Sequence, residues 1–148
     1  MSSNMEKKVV VRTDASINPN KGVGLGYDAK IFNGDGSYET VTGSKYVNEK
    51  TIKTTDAETV AAAFAVIELY EHLGEERKEH SLKLKSDCEH TVHDVRSSVE
   101  AHDAKQRVLQ FFAEGFGDLS VQWIPRSANG KVDAIATGAM ESGWEKNQ

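Results

Sequence analysis

Four carboxylates sit where elements of structure would begin or end. Asp14 follows the β-branched run Val9-Val10-Val11 through Arg12 and Thr13, and Glu58 opens an alanine-rich stretch. Asp87 follows Leu82-Lys-Leu-Lys-Ser86, and Asp133 comes shortly after Pro125. A carboxylate held by a rigid strand is costly unless a cation, a donor or a metal meets it. In an α/β layer, strand ends and helix starts along one sheet edge converge on a shared crevice. Carboxylates gathered there repel one another, and hard divalent cations make the arrangement favourable. Mg²⁺ takes oxygen ligands and keeps waters, so a few carboxylates plus a substrate phosphate suffice. Two such ions about 4 Å apart would orient an attacking water and stabilise the departing oxygen of a phosphodiester. The expected chemistry is metal-assisted cleavage of nucleic acid.

Each acid also has an ordinary reading. Asp14 would be a turn residue ahead of Asn18-Pro-Asn-Lys-Gly22. Thr55-Asp-Ala-Glu58 matches a capping box, in which Glu58 satisfies free amides at a helix start. Asp87 suits the N-cap of the next helix, and Asp133 would complement a positive helix start or face solvent. The ordered set carries the expectation, not any single acid. Strand parity places Val10, Arg12 and Asp14 on one side, so Arg12 is expected to help keep Asp14 ionised.

The elements that must position these residues follow from periodicity. Lys7 to Thr13 reads as a first strand. Val23-Gly-Leu-Gly-Tyr27 leads into a second strand at Ala29 to Phe32, with Gly24 and Gly26 on one face and open to close approach by a backbone or a ligand. Asn33-Gly-Asp-Gly36 signals a hairpin into a third strand, Ser37 to Tyr46. From Thr55 the apolar period becomes helical up to Leu73, and Gly74 fits the stop. Leu82 to Lys85 is a fourth strand. Helices are expected from Cys88 to about Val99, with Val92, Val95 and Val99 on one face, and from His102 to Gly115. Leu119 to Ile124 is a fifth strand, and Ala128 to Met140 a closing helix. The expected fold class is α/β: a five-stranded mixed sheet flanked by helices, order βββαβααβα, in one domain over 1–148 with its core at about 7–141.

Composition bounds the rest. The 148 residues are 38% hydrophobic and 28% charged, which suits a soluble domain with one sizeable core. No apolar run approaches the roughly 20 residues of a membrane helix, and the first residues lack the apolar core of a secretory signal. Cys88 is the single cysteine, which excludes an internal disulfide and lends no support to a thiolate zinc site. A reduced, cytoplasmic protein, acting as a monomer, is expected. The net charge of −5 runs against a generic nucleic-acid binder, although bound divalent ions invert the charge around an acidic cluster. Lys45, Lys50, Lys53, Lys83, Lys85 and Lys131 are the available phosphate partners, and Cys88 reads as a helix-start residue.

Thr13-Asp-Ala-Ser16, the Gly-x-Gly of Gly24 and Gly26, Ala57-Glu58, Ser86-Asp87 and Trp123-Ile-Pro-Arg-x-x-Asn129-x-x-x-Asp133 follow one another in that order. Together they resemble the successive motifs of ribonuclease H type 1, from Val9 to about Met140. The resemblance implies a ribonuclease H-like fold and endonucleolytic cleavage of the RNA strand of an RNA/DNA hybrid, leaving 5′-phosphate and 3′-hydroxyl ends. It implies that Asp14, Glu58, Asp87 and Asp133 hold two Mg²⁺ or Mn²⁺ ions.

Many bacterial members carry a histidine in the loop after the fifth strand; none of the five histidines here lies in it. The tip is Pro125-Arg126-Ser127, similar to archaeal and plant-like members, so Arg126 would take a phosphate-contacting or product-release role. The Trp- and Lys-rich handle of some members is missing. Recognition of a hybrid needs contacts to the 2′-hydroxyl, for which Ser16 and Asn18 are the matching positions. Thr54 and Thr55 stand where other members contact the DNA strand, and Asn129 is a further substrate-binding candidate. The alternatives are a DNA-directed nuclease on the same fold and a catalytically silent module that binds nucleic acid or protein.

Overall fold

Three consecutive valines cannot all face one side of a strand, and the sheet uses both. In the computed structural model, which describes residues 6–96 and 104–148, β1 runs from Lys7 to Asn18 and turns Val9, Val11 and Thr13 into the core. The charge at Asp14 does not end this strand. Its second half pairs with β2 (Gly22–Asn33) in an antiparallel register that sets Asp14 opposite Gly26 and Asn18 opposite Gly22. The turn between them is held by the Lys21 amide donating to the Asn18 carbonyl at 3.1 Å and the Asn20 amide donating to Asn18 Oδ1 at 2.8 Å.

Strand β3 (Tyr38–Val47) extends the antiparallel meander. Beyond it, α1 spans Thr54–Leu73 and ends where expected, at Gly74 with a left-handed φ of 58°. A short 3₁₀ segment leads into β4 (Ser81–Ser86), which lies parallel to β1. Then come α2 (Glu89–Arg96), α3 (Ala104–Ala113), β5 (Asp118–Trp123) parallel to β4, and α4 (Gly130–Lys146). The sheet order is β3-β2-β1-β4-β5, the five-stranded mixed sheet expected. Val99 and His102, placed in the expected helices, lie outside the described residues.

Register and burial explain which helix covers which face. Val9 pairs with Ile31 and Leu82, and Val11 with Ala29 and Leu84, so one sheet face is continuous hydrocarbon. Ala62, Ala65, Val66 and Leu69 of α1 and Leu109 of α3 pack onto it. Leu82 and Leu84 are fully buried, and each contributes about 1.5–3 kcal/mol of transfer free energy. On the opposite face α4 lies over Gly24 and Gly26. There the close approach that the Gly-x-Gly spacing predicts is to backbone: a Cβ on Gly24 would lie 1.8 Å from the Ala136 carbonyl oxygen. The last helix also runs on past Met140 to Lys146, with Gly143 seated against the ring of Tyr46.

Candidate metal centre

Asp14 and Asp87 are brought together by strand register. The parallel pairing of β1 with β4 ends at Thr13 opposite Ser86, and each acid is the next residue in sequence, Asp14 within β1 and Asp87 just past β4. Glu58 reaches them from the second turn of α1. One carboxylate oxygen from each of Asp14, Glu58 and Asp87 lies within 4.8 Å of the others. Asp14 and Glu58 are buried, and Asp87 is half-buried. Asp133 is exposed on the first turn of α4, outside this cluster, yet near enough for its charge to raise the Asp14 pKa.

The capping-box reading of Glu58 does not hold. Helix α1 begins one residue earlier than Thr55, its N-cap position is Lys53, and no side chain caps it. Glu58 Oε1 instead accepts the Ala15 amide at 3.4 Å, and that amide also donates to Asp14 Oδ1 at 2.9 Å. Asp87 lies two residues before α2 begins at Glu89, one position ahead of where an N-cap would stand.

Burial pushes Asp14 up to about 6; the hydrogen bond from Glu58 offsets part of that rise, and the neighbouring Asp87 adds to it. Burial, then the Asp14 charge, pushes Glu58 up to about 10. The two therefore hold a proton between them at neutral pH. Glu58 Oε2 is buried without a hydrogen-bond partner. Among the described residues no lysine, arginine or histidine is within ion-pair distance of the three acids. Arg12 does not attend Asp14 as strand parity suggested; it lines a cleft with Lys85. Buried, mutually repelling oxygens with an orphaned acceptor form the donor set that suits a hard divalent cation.

Asn129 sits beside Asp87. It is buried, and its Nδ2 donates to the Thr13 carbonyl at 2.9 Å and to Asp87 Oδ2 at 3.3 Å. Both contacts of this substrate-binding candidate are internal, and they tie β1 to Asp87 through the residue before α4. Trp123 Nε1 adds a bond to the Asp87 carbonyl at 3.1 Å. Asn129→Ala is expected to destabilise the protein by about 1–3 kcal/mol, because it leaves a buried carbonyl unpaired. A lower urea midpoint at unchanged slope would show it.

The other expected site residues are more dispersed. Ser16 is half-buried and accepts from Thr137 Oγ1 at 3.1 Å, while Asn18 shapes its own turn. Thr54 and Thr55 are exposed at the start of α1, and Arg126 is exposed on the 3₁₀ turn preceding α4. Of the expected phosphate partners, Lys131 pairs with Asp28 at 3.2 Å.

This architecture, with an acidic cluster at the edge of the central strands, is the ribonuclease H-like fold. Solved structures that share it include type 1 ribonucleases H. The ribonuclease H1 of the halophilic archaeon Halobacterium salinarum is 19% identical over 91% of this chain and 98% of that one, with a TM-score of 0.68. The N-terminal ribonuclease H domain of Rv2228c from Mycobacterium tuberculosis is 21% identical over 97% and 100%, with a TM-score of 0.71. LC11 ribonuclease H1, solved in complex with an RNA/DNA hybrid, is 18% identical over 92% and 99%, with a TM-score of 0.70. No protein-family model and no curated protein matches the sequence.

Proposed function

We propose that the protein is a divalent-metal-dependent endoribonuclease that hydrolyses the RNA strand of RNA/DNA hybrids. The observation that carries this reading is the meeting of the Asp14, Glu58 and Asp87 oxygens within 4.8 Å of one another. They meet at the sheet edge of a fold that a hybrid-bound ribonuclease H1 shares.

Asp14, Glu58 and Asp87 would hold the metal, with Asp133 reaching in from α4. Two Mg²⁺ or Mn²⁺ ions bound there would activate a water and neutralise charge developing on the phosphate. The chain's own contribution is placement. Strand register sets Asp14 beside Asp87, Asn129 holds the Asp87 carboxylate, and Glu58 would serve the metal as a carboxylate. In hydrolysis the water oxygen would bond to phosphorus as the bond to the 3′ oxygen breaks, and the proton lost by the water would end on that oxygen, leaving a 5′-phosphate and a 3′-hydroxyl. Ser16 and Asn18, beyond Asp14 on β1, are assigned to the 2′-hydroxyls of the RNA strand, and Thr54 and Thr55 to the DNA strand. Arg126 is assigned to a phosphate beside the metal site, where Arg126→Ala should slow turnover.

A panel of labelled RNA/DNA hybrid, double-stranded RNA, double-stranded DNA and single strands, each with Mg²⁺, Mn²⁺ or EDTA, tests the proposal. Cleavage confined to the RNA of the hybrid, and abolished by EDTA, is expected. Preferential cutting of double-stranded DNA would replace this reading with a DNA-directed nuclease, and no cutting of any substrate with a silent module.

A further inference from the structure

Beyond the rows under α4, the same sheet face presents exposed Lys30 and Tyr38 and half-buried Lys8, Arg12, Lys83 and Lys85, a cationic set although the protein as a whole carries −5. Arg12 and Lys85 are register partners on β1 and β4. In the next row Lys30 and Lys83 flank Val10, and in the row beyond Lys8 stands opposite Phe32. The one buried acid among them, Asp28, is already paired with Lys131. Glu6, at the rim, accepts from Ser81 Oγ at 2.9 Å, and Asp118 lies beside Ser81 on β5. Among the described residues none of the five cations has a carboxylate within ion-pair distance.

Four of these cations, Lys8, Arg12, Lys30 and Lys85, line a cleft of about 190 Å³ together with Asp28, Val10 and Phe32. Arg12 Nε is buried in the protein without a hydrogen-bond partner. At the far end of the face, Tyr38 is 52% exposed and packs on Phe32 with ring centroids 5.3 Å apart. The Lys30 ammonium lies 5.2 Å from the Tyr38 ring centroid, and that of Lys8 lies 5.1 Å from that of Phe32.

We propose that this open sheet face is a second nucleic-acid site that holds a single strand, with phosphates against Lys30, Lys83, Lys85 and Arg12 and a base on the ring of Tyr38. Unneutralised cations select a polyanion. The exposed aromatic among them selects one with free base faces, which single strands offer and a stacked duplex does not. The site adjoins the carboxylate cluster along β1 and β4, and it does not require that cluster to be catalytic.

Fluorescence anisotropy of a labelled oligothymidylate of about 15 nucleotides, in EDTA and at low salt, tests the proposal. The double variant Lys30→Glu, Lys83→Glu should bind at least about tenfold more weakly than wild type, and lower the salt slope by about 1.4, or 0.7 for each lost phosphate contact. Tyr38→Ala should cost about fivefold or more, whereas Lys146→Glu, on the last turn of α4, should bind as wild type does. Amide shifts of the wild-type protein on titration, concentrated at Lys30, Tyr38, Lys83 and Lys85, give a readout independent of any variant. Shifts confined to other elements, or charge reversal that leaves affinity within twofold, would overturn the site. Undiminished binding by Tyr38→Ala would overturn base stacking and reduce the face to a generic polyanion surface.

Discussion

Asp14→Asn is expected to abolish hybrid cleavage and, in EDTA at alkaline pH, to make the protein more stable. The loss of activity should be at least about a thousandfold, equivalent to about 4 kcal/mol of transition-state stabilisation, because the variant removes a central metal ligand. The gain in stability follows from proton linkage. Asp14 and Glu58 have folded-state values raised to about 6 and about 10, from 3.8 and 4.5. The folded state therefore holds protons that the unfolded chain releases, and stability falls as pH rises from about 4 through those raised values. A neutral amide at position 14 removes its share of that loss. At pH 8 the variant should be stabilised by on the order of 1–3 kcal/mol, and the advantage should vanish near pH 4.

Excess Mg²⁺ should reverse the order at pH 8, because metal binding to the folded wild type adds stability by mass action. Thermal melts at both pH values, with and without Mg²⁺, give all the signs in one series. A variant that cuts at the wild-type rate would exclude Asp14 from the chemistry. One that melts with the wild type in EDTA at pH 8 would exclude the buried, proton-sharing pair.

The second large effect belongs to Gly24. An added methyl there meets the Ala136 carbonyl oxygen at 1.8 Å and the Met140 amide nitrogen at 2.7 Å, both backbone atoms of α4. No rotamer relieves a clash with backbone, so α4 must lift from the sheet. Gly24→Ala is expected to cost about 3 kcal/mol or more, beyond ordinary overpacking. Because α4 follows Asn129 and carries Asp133, hybrid cleavage should fall with it. Gly26→Ala, whose nearest contact is 2.9 Å, should be milder. Gly138→Ala, within α4 and with nothing inside 4 Å, should stabilise by about 0.5–1 kcal/mol. Urea unfolding of the three variants should return that order, and equal effects at Gly24 and Gly138 would remove the close packing as the cause.

Much of this was legible in the sequence wherever one residue type answers one local demand. The valines of β1, the alanine-rich period of α1 and the stop at Gly74 each encode their element directly. Where the demand comes from a distant partner, the local sequence carries no mark of it. Ser16 to Asn18 lack the look of a strand interior, and they extend β1 because the glycines of β2 lie opposite. Thr55 and Glu58 match a capping box in spacing, but the helix starts at Thr54 and Glu58 turns to Asp14. Asn129 sits 116 residues from the Thr13 carbonyl it satisfies, a separation at which spacing carries no signal. Arg12 shares a parity with Asp14, but parity assigns a face and not a partner.

Thr13 opposite Ser86, with an acid next in sequence after each, also bears on how such a chain diverges. A slip of one residue between β1 and β4 would turn one carboxylate toward the hydrocarbon core and separate it from the other. Replacing the residues around the pair, or lengthening the loops that join the strands, disturbs neither. Sequence drift is then restrained by a count along two strands more than by the identity of their neighbours. Structures can remain superimposable while roughly four residues in five differ, as they do between this chain and the solved ribonucleases H it resembles.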